Sequence, residues 1–346
     1  HSFPTRRSSD LGTVAQGDPL GIKTEFIVRS QIHVGNLRIS VGEKDTLFKE
    51  SIIPYTRMNW SSNQIVRQPI TQPYWLVNTK ETGHFVVKDQ SKIGQAAPDP
   101  AMNVQAQFTI EGELIQVSRP VQELVVDPVK GEYFQPITVT PRSVFQINHP
   151  NILLPKGSGE SKSLEVQIKA IGKIEAGRVR VLNQAGETLG TLALDKGIEA
   201  GTSQNLAFTV REKDQKFDGK ETWQLRLAYE TAQGNWIDSL QMESINYPHI
   251  PVQRYFSPVS VNLLHIDFKK NGKRIGYIKG AGDKVPESLE QMGYQVDFLQ
   301  EADLKASHLA QYDVVLTGVR AHNTLDYLGN AHAELMKYVE QGGNYV

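Results

Sequence analysis

Strict alternation of apolar and polar positions dominates the chain from Gly12 to about Pro248. In SLEVQIKA, Leu164, Val166, Ile168 and Ala170 alternate with Glu165, Gln167 and Lys169. A period of two sends successive side chains to opposite faces, so the segment reads as a strand with one buried face. WQLRLAY repeats the pattern through Trp223, Leu225, Leu227 and Tyr229, and NLAFTV through Leu206, Phe208 and Val210. Turn-forming residues separate the runs: Gln184-Ala185-Gly186, Asp218-Gly219 and Gln233-Gly234. Many short strands at this spacing predict antiparallel sandwiches. Two are expected, over residues 12–128 and 129–248. The first takes strands near KTEFIVRS, NLRISV, QPYWLV, GHFVVKD and NVQAQFTI. The boundary lies in DPVKGEYFQPITVTP, punctuated by Pro128, Gly131, Pro136 and Pro141.

The pattern changes at about Ile250, and residues 249–346 form a third region. Arg274–Ile278 is a short β-rich run. Pro286–Met292 reads as a helix, with Val285, Leu289 and Met292 on one face and Gly293 as its stop. YQVDFL is a second strand, ADLKASHLAQ a short helix and YDVVLTGV a strongly apolar third strand. AHAELMKYVEQGG is a further helix, with Leu335, Met336 and Val339 sharing a face, and NYV begins another strand. Alternating strands and helices predict a parallel, doubly wound sheet. The fold class expected is therefore mainly β with a C-terminal α/β domain. A complete sheet has about five or six strands, so this domain is expected to be truncated.

Composition narrows the chemistry. The 346 residues carry a formal net charge of −1, with charges interspersed, which gives no electrostatic reason to expect nucleic acid as a partner. There are no cysteines, which excludes disulfides, thiolate metal sites and a cysteine nucleophile within this chain. No apolar run approaches the ~20 residues of a membrane helix. Residues 1–11, HSFPTRRSSDL, lack an apolar core of the kind a signal peptide needs. They resemble a translated sequencing adapter, and the segment is set apart from the fold as an artefact. Both ends read as those of a fragment.

Two loops are candidates for a ligand edge. Gly280 and Gly282 of GAGD follow a strand and precede a helix, the context for anion binding at a helix start. The third glycine of the dinucleotide fingerprint is replaced by Val285, and Asp283 is placed to cap the helix. Arg320, His322 and Asn323 of GVRAHNT follow the third strand. Ligands of doubly wound sheets sit beyond the carboxyl ends of the strands, and with a flavodoxin-like strand order these two loops would face each other there. No two of the nine histidines show the His-x-x-x-His spacing of a helical zinc pair, and there is no Gly-x-Ser-x-Gly elbow. Gly157-Ser158-Gly159 reads as a polar loop. Among the four tryptophans, Trp60 and Trp236 sit amid polar residues and are candidate glycan contacts.

GKRIGYIKGAGDKVPESLEQMGYQVDFL followed by YDVVLTGVRAHNT resembles the C-terminal region of large bacterial PIG-L family (LmbE-like) deacetylases. TQPYWLV, GHFVVKD, RPVQELVVDPVKGE and INYPHIPVQRYF resemble the linking β-domains of the same proteins. The resemblance implies two immunoglobulin-like sandwiches and a truncated flavodoxin-like domain similar to class I glutamine amidotransferases. It implies a zinc-dependent catalytic domain upstream, hydrolysing an N-acetyl amino sugar, and a periplasmic or secreted location. That domain carries His-Pro-Asp-Asp-Glu, which occurs nowhere here. No catalytic or zinc residue can thus be carried onto this chain. The expected role is an accessory, non-catalytic part of such a deacetylase, with no cofactor of its own and the upstream domain as partner. The alternative is an extracytoplasmic glycan-binding β-protein whose α/β domain binds a ligand.

Overall fold

The computed structural model describes residues 2–4, 12–78, 81–129, 131–212, 221–231, 233–234 and 236–346. The expected Asp218-Gly219 turn lies outside them, as does most of the adapter-like segment. The chain is mainly β and divides into two compact units. One comprises His1–Pro150, Ser163–Phe208 and Gln224–Val261, and the other Asn151–Lys162, Thr209–Trp223 and Asn262–Val346.

In the first unit, Pro19–Ile27 pairs antiparallel with Arg57–Ile65, and Ser2–Pro4 pairs with Thr24 to Ile22. A second sheet runs in the order Lys44–Phe48, Val34–Val41, Asn103–Ile110, Glu113–Pro120. Alternation sends Leu20 and Ile22 from one sheet, and Leu37, Ile39, Val41 and Phe108 from the other, into a shared core. Phe26 meets Phe108 edge-to-face at 5.2 Å across it. The hairpin Asn103–Ile110 to Glu113–Pro120 turns through Glu111 and Gly112, at φ of 51° and 88°. Two consecutive positive φ values match the right-handed twist of the paired strands.

QPYWLV and GHFVVKD, expected as strands, are not strands. Pro73 has no N–H for a ladder, and Tyr74–Leu76 forms a single 3-10 turn behind it. Phe85, Val86 and Val87 run consecutively without alternation. The Val86 and Val87 carbonyls instead accept side-chain amides from Asn78 and Gln90, at 2.8 and 2.7 Å. Side chains there satisfy the backbone that a neighbouring strand would otherwise satisfy.

Past Pro128 the chain returns to the first core. Gln122–Asp127 pairs antiparallel with Gly131–Pro136, and Thr138–Thr140 runs parallel to Thr13–Ala15. Val121, Ile137 and Val139 join Val14 in the same buried cluster. The following strands form the second sandwich of this unit. Ser143–Ile147 pairs with Ser161–Ala170, and Gly177–Leu182 lies between Thr188–Leu194 and Thr222–Thr231. Leu164, Val166, Ile168 and Ala170 are all buried, as their alternation requires.

In the second unit, Asn151–Pro155 runs parallel to the strand ending at Ile266. A three-stranded parallel sheet has the order Gln295–Phe298, Arg274–Ile278, Val314–Thr317, and Tyr345 bridges to Val315 in parallel. The helices Val285–Gln291 and Tyr327–Glu340 lie close to their expected places. The face of the second differs from expectation. Leu328, Leu335 and Tyr338 are buried, whereas Val339 is 39% exposed. Starting the helix at Tyr327 rather than Ala331 brings Leu328 onto the inner face, one heptad before Leu335.

Candidate functional site

The two loops singled out in the sequence meet at the carboxyl ends of Arg274–Ile278 and Val314–Thr317. The Ala281 N–H donates to the Val319 carbonyl at 2.8 Å, and the Gly318 N–H to Ile278 at the same distance. Contact is close enough to require glycine. A Cβ on Gly280 would lie 2.2 Å from the Val319 oxygen and 2.9 Å from the Ala321 nitrogen. Gly282 is glycine for another reason, its φ of +112°.

Asp283 fills the centre of this junction. Its carboxylate accepts the Tyr277 hydroxyl at 2.7 Å to each oxygen, the Val319 N–H at 3.0 Å and the Val285 N–H at 3.0 Å. Burial pushes this carboxyl up, and the bonds from Tyr277, Val319 and Val285 more than offset it, leaving it below the usual aspartate range. Burial, followed by the bonded carboxylate, holds the Tyr277 phenol well above its ordinary value. The cap position itself is Lys284, one residue later than expected, yet Asp283 still binds the first helical amide. An internal carboxylate thus occupies amides that an anionic ligand would use.

Arg320, His322 and Asn323 lie on the outer side of the junction. Arg320 is exposed and left-handed, with φ of 57°, and starts the short helical turn Ala321–Thr324. His322 Nε2 is 3.0 Å from the Tyr345 hydroxyl, and Asn323 donates its N–H to the Arg320 carbonyl. The structure therefore brings Gly280, Gly282, Arg320, His322 and Asn323 to one edge, and shows its inner half to be self-satisfied.

Trp60 is half-buried, pairs opposite Thr24 and packs on the first sandwich core. Its polar sequence neighbours face solvent while the indole takes the inward side of Arg57–Ile65, so its candidacy as an exposed contact is not supported. Trp236 gives its backbone to Trp236–Asp238, and its side chain lies outside the described residues. Other exposed aromatics cluster instead: Tyr133 and Phe134 on one strand, with Tyr247 and His249 on the turn after Ile245, lining one cleft. The sequence signal is NYPHIP, in which Pro248 separates Tyr247 from His249 and Pro251 follows.

Where Gly157-Ser158-Gly159 read as a polar loop, it is tied down from a distance. Glu212 accepts the Gly157 and Gly159 N–H groups at 2.7 and 3.1 Å and lies 3.1 Å from His265 Nε2. The Gly157 amide, then His265 and the Gly159 amide, hold the Glu212 carboxyl below its ordinary value. A depressed carboxyl stabilises the fold above its unfolded pKa and loses that contribution as pH falls through the folded one. Protection of the Gly157 and Gly159 amides from hydrogen exchange is therefore expected to fall below about pH 4. Glu212→Gln is expected to show weak protection throughout, with no such acid step.

The two sandwiches of the first unit meet at an apolar joint. Ala15, Val144, Ile171 and Phe256 form a buried cluster, with Ile70, Leu240 and Met242 packed against it. Arg142 spans the joint. It donates to the Lys173 carbonyl at 2.7 and 3.1 Å and to the Gln16 carbonyl at 3.1 Å, and pairs with Asp18 at 2.9 Å. Gly172 abuts Ala15, where a Cβ would come within 2.8 Å. A cleft of about 670 Å³ opens beside Arg142, floored by Ile70, Ile174 and Leu240.

Among the described residues, no three His, Asp or Glu side chains converge as a metal site, and no helix is long and apolar enough to cross a membrane. No family model and no curated protein matches the chain. Among solved structures, fibronectin(III)-like modules of CbhA from Clostridium thermocellum overlap it at 11% identity. That match covers 78% of this chain and 98% of the other, at a TM-score of 0.21. A bacterial ice-binding adhesin gives 10% identity, 80% and 73% coverage and 0.21. A calcium-binding mutant of Bacteroides uniformis beta-glucuronidase 2 gives 7%, 94% and 36%, and 0.20.

Proposed function

We propose that this chain is the accessory, non-catalytic part of a PIG-L-type zinc-dependent deacetylase acting on an N-acetylated amino sugar. The catalytic domain and its zinc ligands belong upstream in this reading, and the sandwiches act as a stiff spacer that presents it. The observation that carries the spacer role is the joint: a guanidinium bonded to both sandwiches above a buried apolar cluster. Such a joint restricts hinge motion, because bending would expose Phe256 and Ile171 and strip Arg142 of its acceptors. The family assignment rests on the ordered sequence segments. The strand order second, first, third in the α/β unit, with the bridge to Tyr345, supports its flavodoxin-like assignment. The same family reading places the protein in the periplasm or outside the cell.

Long-read sequencing across both ends of the reading frame is the direct test. An in-frame His-Pro-Asp-Asp-Glu domain upstream is expected. A frame that opens with its own start codon and signal peptide overturns the proposal. The spacer role has its own test. Arg142→Ala is expected to broaden the small-angle scattering distance distribution while the far-ultraviolet spectrum stays unchanged. An identical distribution would remove Arg142 as the clamp.

A further inference from the structure

The geometry points to a binding site for a neutral oligosaccharide in the cleft between the turn at 246–252 and the strand Gly131–Pro136. The site goes beyond the deacetylase reading and does not depend on it. Leu240–Ile245 and Gln253–Pro258 pair antiparallel, with Ile245 opposite Gln253, so the turn springs from a fixed hairpin. Pro248 and Pro251 restrict its φ angles. The Ile250 N–H donates to the Tyr247 carbonyl at 3.3 Å and closes the turn. Held this way, the rings of Tyr247 and His249 lie 5.9 Å apart with 30° between their planes.

The Tyr247 ring is not spent on a core. Tyr247 is 57% exposed, and across the cleft Tyr133 and Phe134 are 37% and 36% exposed. Clustered exposed apolar surface on a rigid scaffold marks an interaction site more often than isolated exposed residues do. The cleft volume of about 530 Å³ is that of a small-ligand site.

The lining decides the ligand class. It contains no Asp, Glu, Lys or Arg, and its polar groups are the Gln135 and Asn246 amides, the tyrosine hydroxyls and the His249 ring. Gln135 is oriented by a 2.9 Å bond from its amide nitrogen to Glu123. Nucleic acids and phosphorylated ligands need cationic partners, and none lines this cleft. A pyranose offers a C–H face that stacks on the electron-rich face of an aromatic ring, and hydroxyls that both donate and accept. Aromatic rings beside uncharged amides match both requirements. Tyrosine provides such contact with little loss of side-chain freedom.

The test titrates the whole chain with neutral hexasaccharides of glucose, xylose, mannose and N-acetylglucosamine, by isothermal calorimetry. Saturable binding of at least one is expected. Tyr247→Ala and Tyr133→Ala are each expected to weaken it roughly tenfold or more, with unaltered circular dichroism and melting. Both side chains are solvent-exposed, and Tyr247→Phe, which keeps the ring, should retain most of the affinity. Absence of binding to every sugar overturns the proposal, as does binding that survives both alanine changes. Proline-rich peptides also dock on exposed aromatics. Saturable capture of a proline-rich decapeptide with no sugar binding would equally overturn it.

Discussion

Asp283→Ala is expected to loosen the C-terminal unit by about 2–4 kcal/mol, because three donors lose their acceptor at once. The Tyr277 hydroxyl is the most expensive of them, since Tyr277 is only 1% exposed and sits at the centre of the parallel sheet. The Val319 and Val285 amides lose the same carboxylate. Hydrogen exchange followed by mass spectrometry reads this locally: peptides over 274–299 and 314–325 should exchange faster, while those over 161–170 should not change. Tyr277→Phe combined with Asp283→Ala should recover part of the loss, because the orphaned hydroxyl is gone. The acid response has a definite sign. Asp283 is depressed, so its contribution is present above the unfolded aspartate pKa of about 4 and fades as pH falls below it. Asp283→Asn should flatten that acid limb. Uniform exchange in wild type and Asp283→Ala would show that the junction is held by the Ala281 and Gly318 backbone bonds instead.

Gly190→Ala is expected to cost about 1–3 kcal/mol in the second sandwich, an overpacking penalty in a closely filled core. A Cβ at that position would stand 1.8 and 1.9 Å from two ring carbons of Phe208, which is 8% exposed. Each strand is held on one side: Thr188–Leu194 pairs with Gly177–Leu182, and Phe208 belongs to Ser203–Arg211, the last strand of the sheet that contains Ser161–Ala170. The ring must turn or leave. Phe208→Leu placed with Gly190→Ala should restore much of the melting temperature, giving a favourable coupling in the double-mutant cycle. If the double variant is no more stable than the sum of the singles predicts, the contact is not what demands glycine there.

These two positions also mark what the sequence makes legible. Local periodicity reaches residues that share an element. Leu164, Val166 and Ile168 alternate and are buried, and Gly293, at φ of +87°, stops its helix where expected. The parallel pairing of Gln295–Phe298 and Val314–Thr317 with Arg274–Ile278 follows from strand–helix alternation, and the meeting of GAGD with GVRAHN from placing both loops at strand ends. Periodicity says nothing of partners far along the chain. Glu212 holding Gly157, Arg142 holding Lys173 and Gln16, and Phe208 facing Gly190 are decided by tertiary contacts, and none leaves a local mark. QPYWLV and GHFVVKD have strand-like composition, yet Pro73 and the Asn78 and Gln90 amides settle their backbones otherwise. Trp60 misled for a related reason. Polar neighbours say little about a residue in a strand, because they point the other way.

The parallel pairing of Thr13–Ala15 with Thr138–Thr140 bears on the order in which the protein comes into being. Thr140 donates its hydroxyl to the Val14 carbonyl across 126 positions of chain. A ribosome that has made residues 12–128 has not yet supplied Ile137 or Val139, both of which complete the first core. Until they emerge, Val14 and its neighbours have an unpaired edge and an open apolar face, the features that recruit other nascent chains. Closing so long a loop is slow compared with forming the hairpins inside it. The first sandwich is thus still unfinished when residue 128 has been made, and it waits for Ile137 and Val139. The nascent chain passes through a window in which chaperone binding competes with self-association, and that window closes only once the strand after Pro136 has been made.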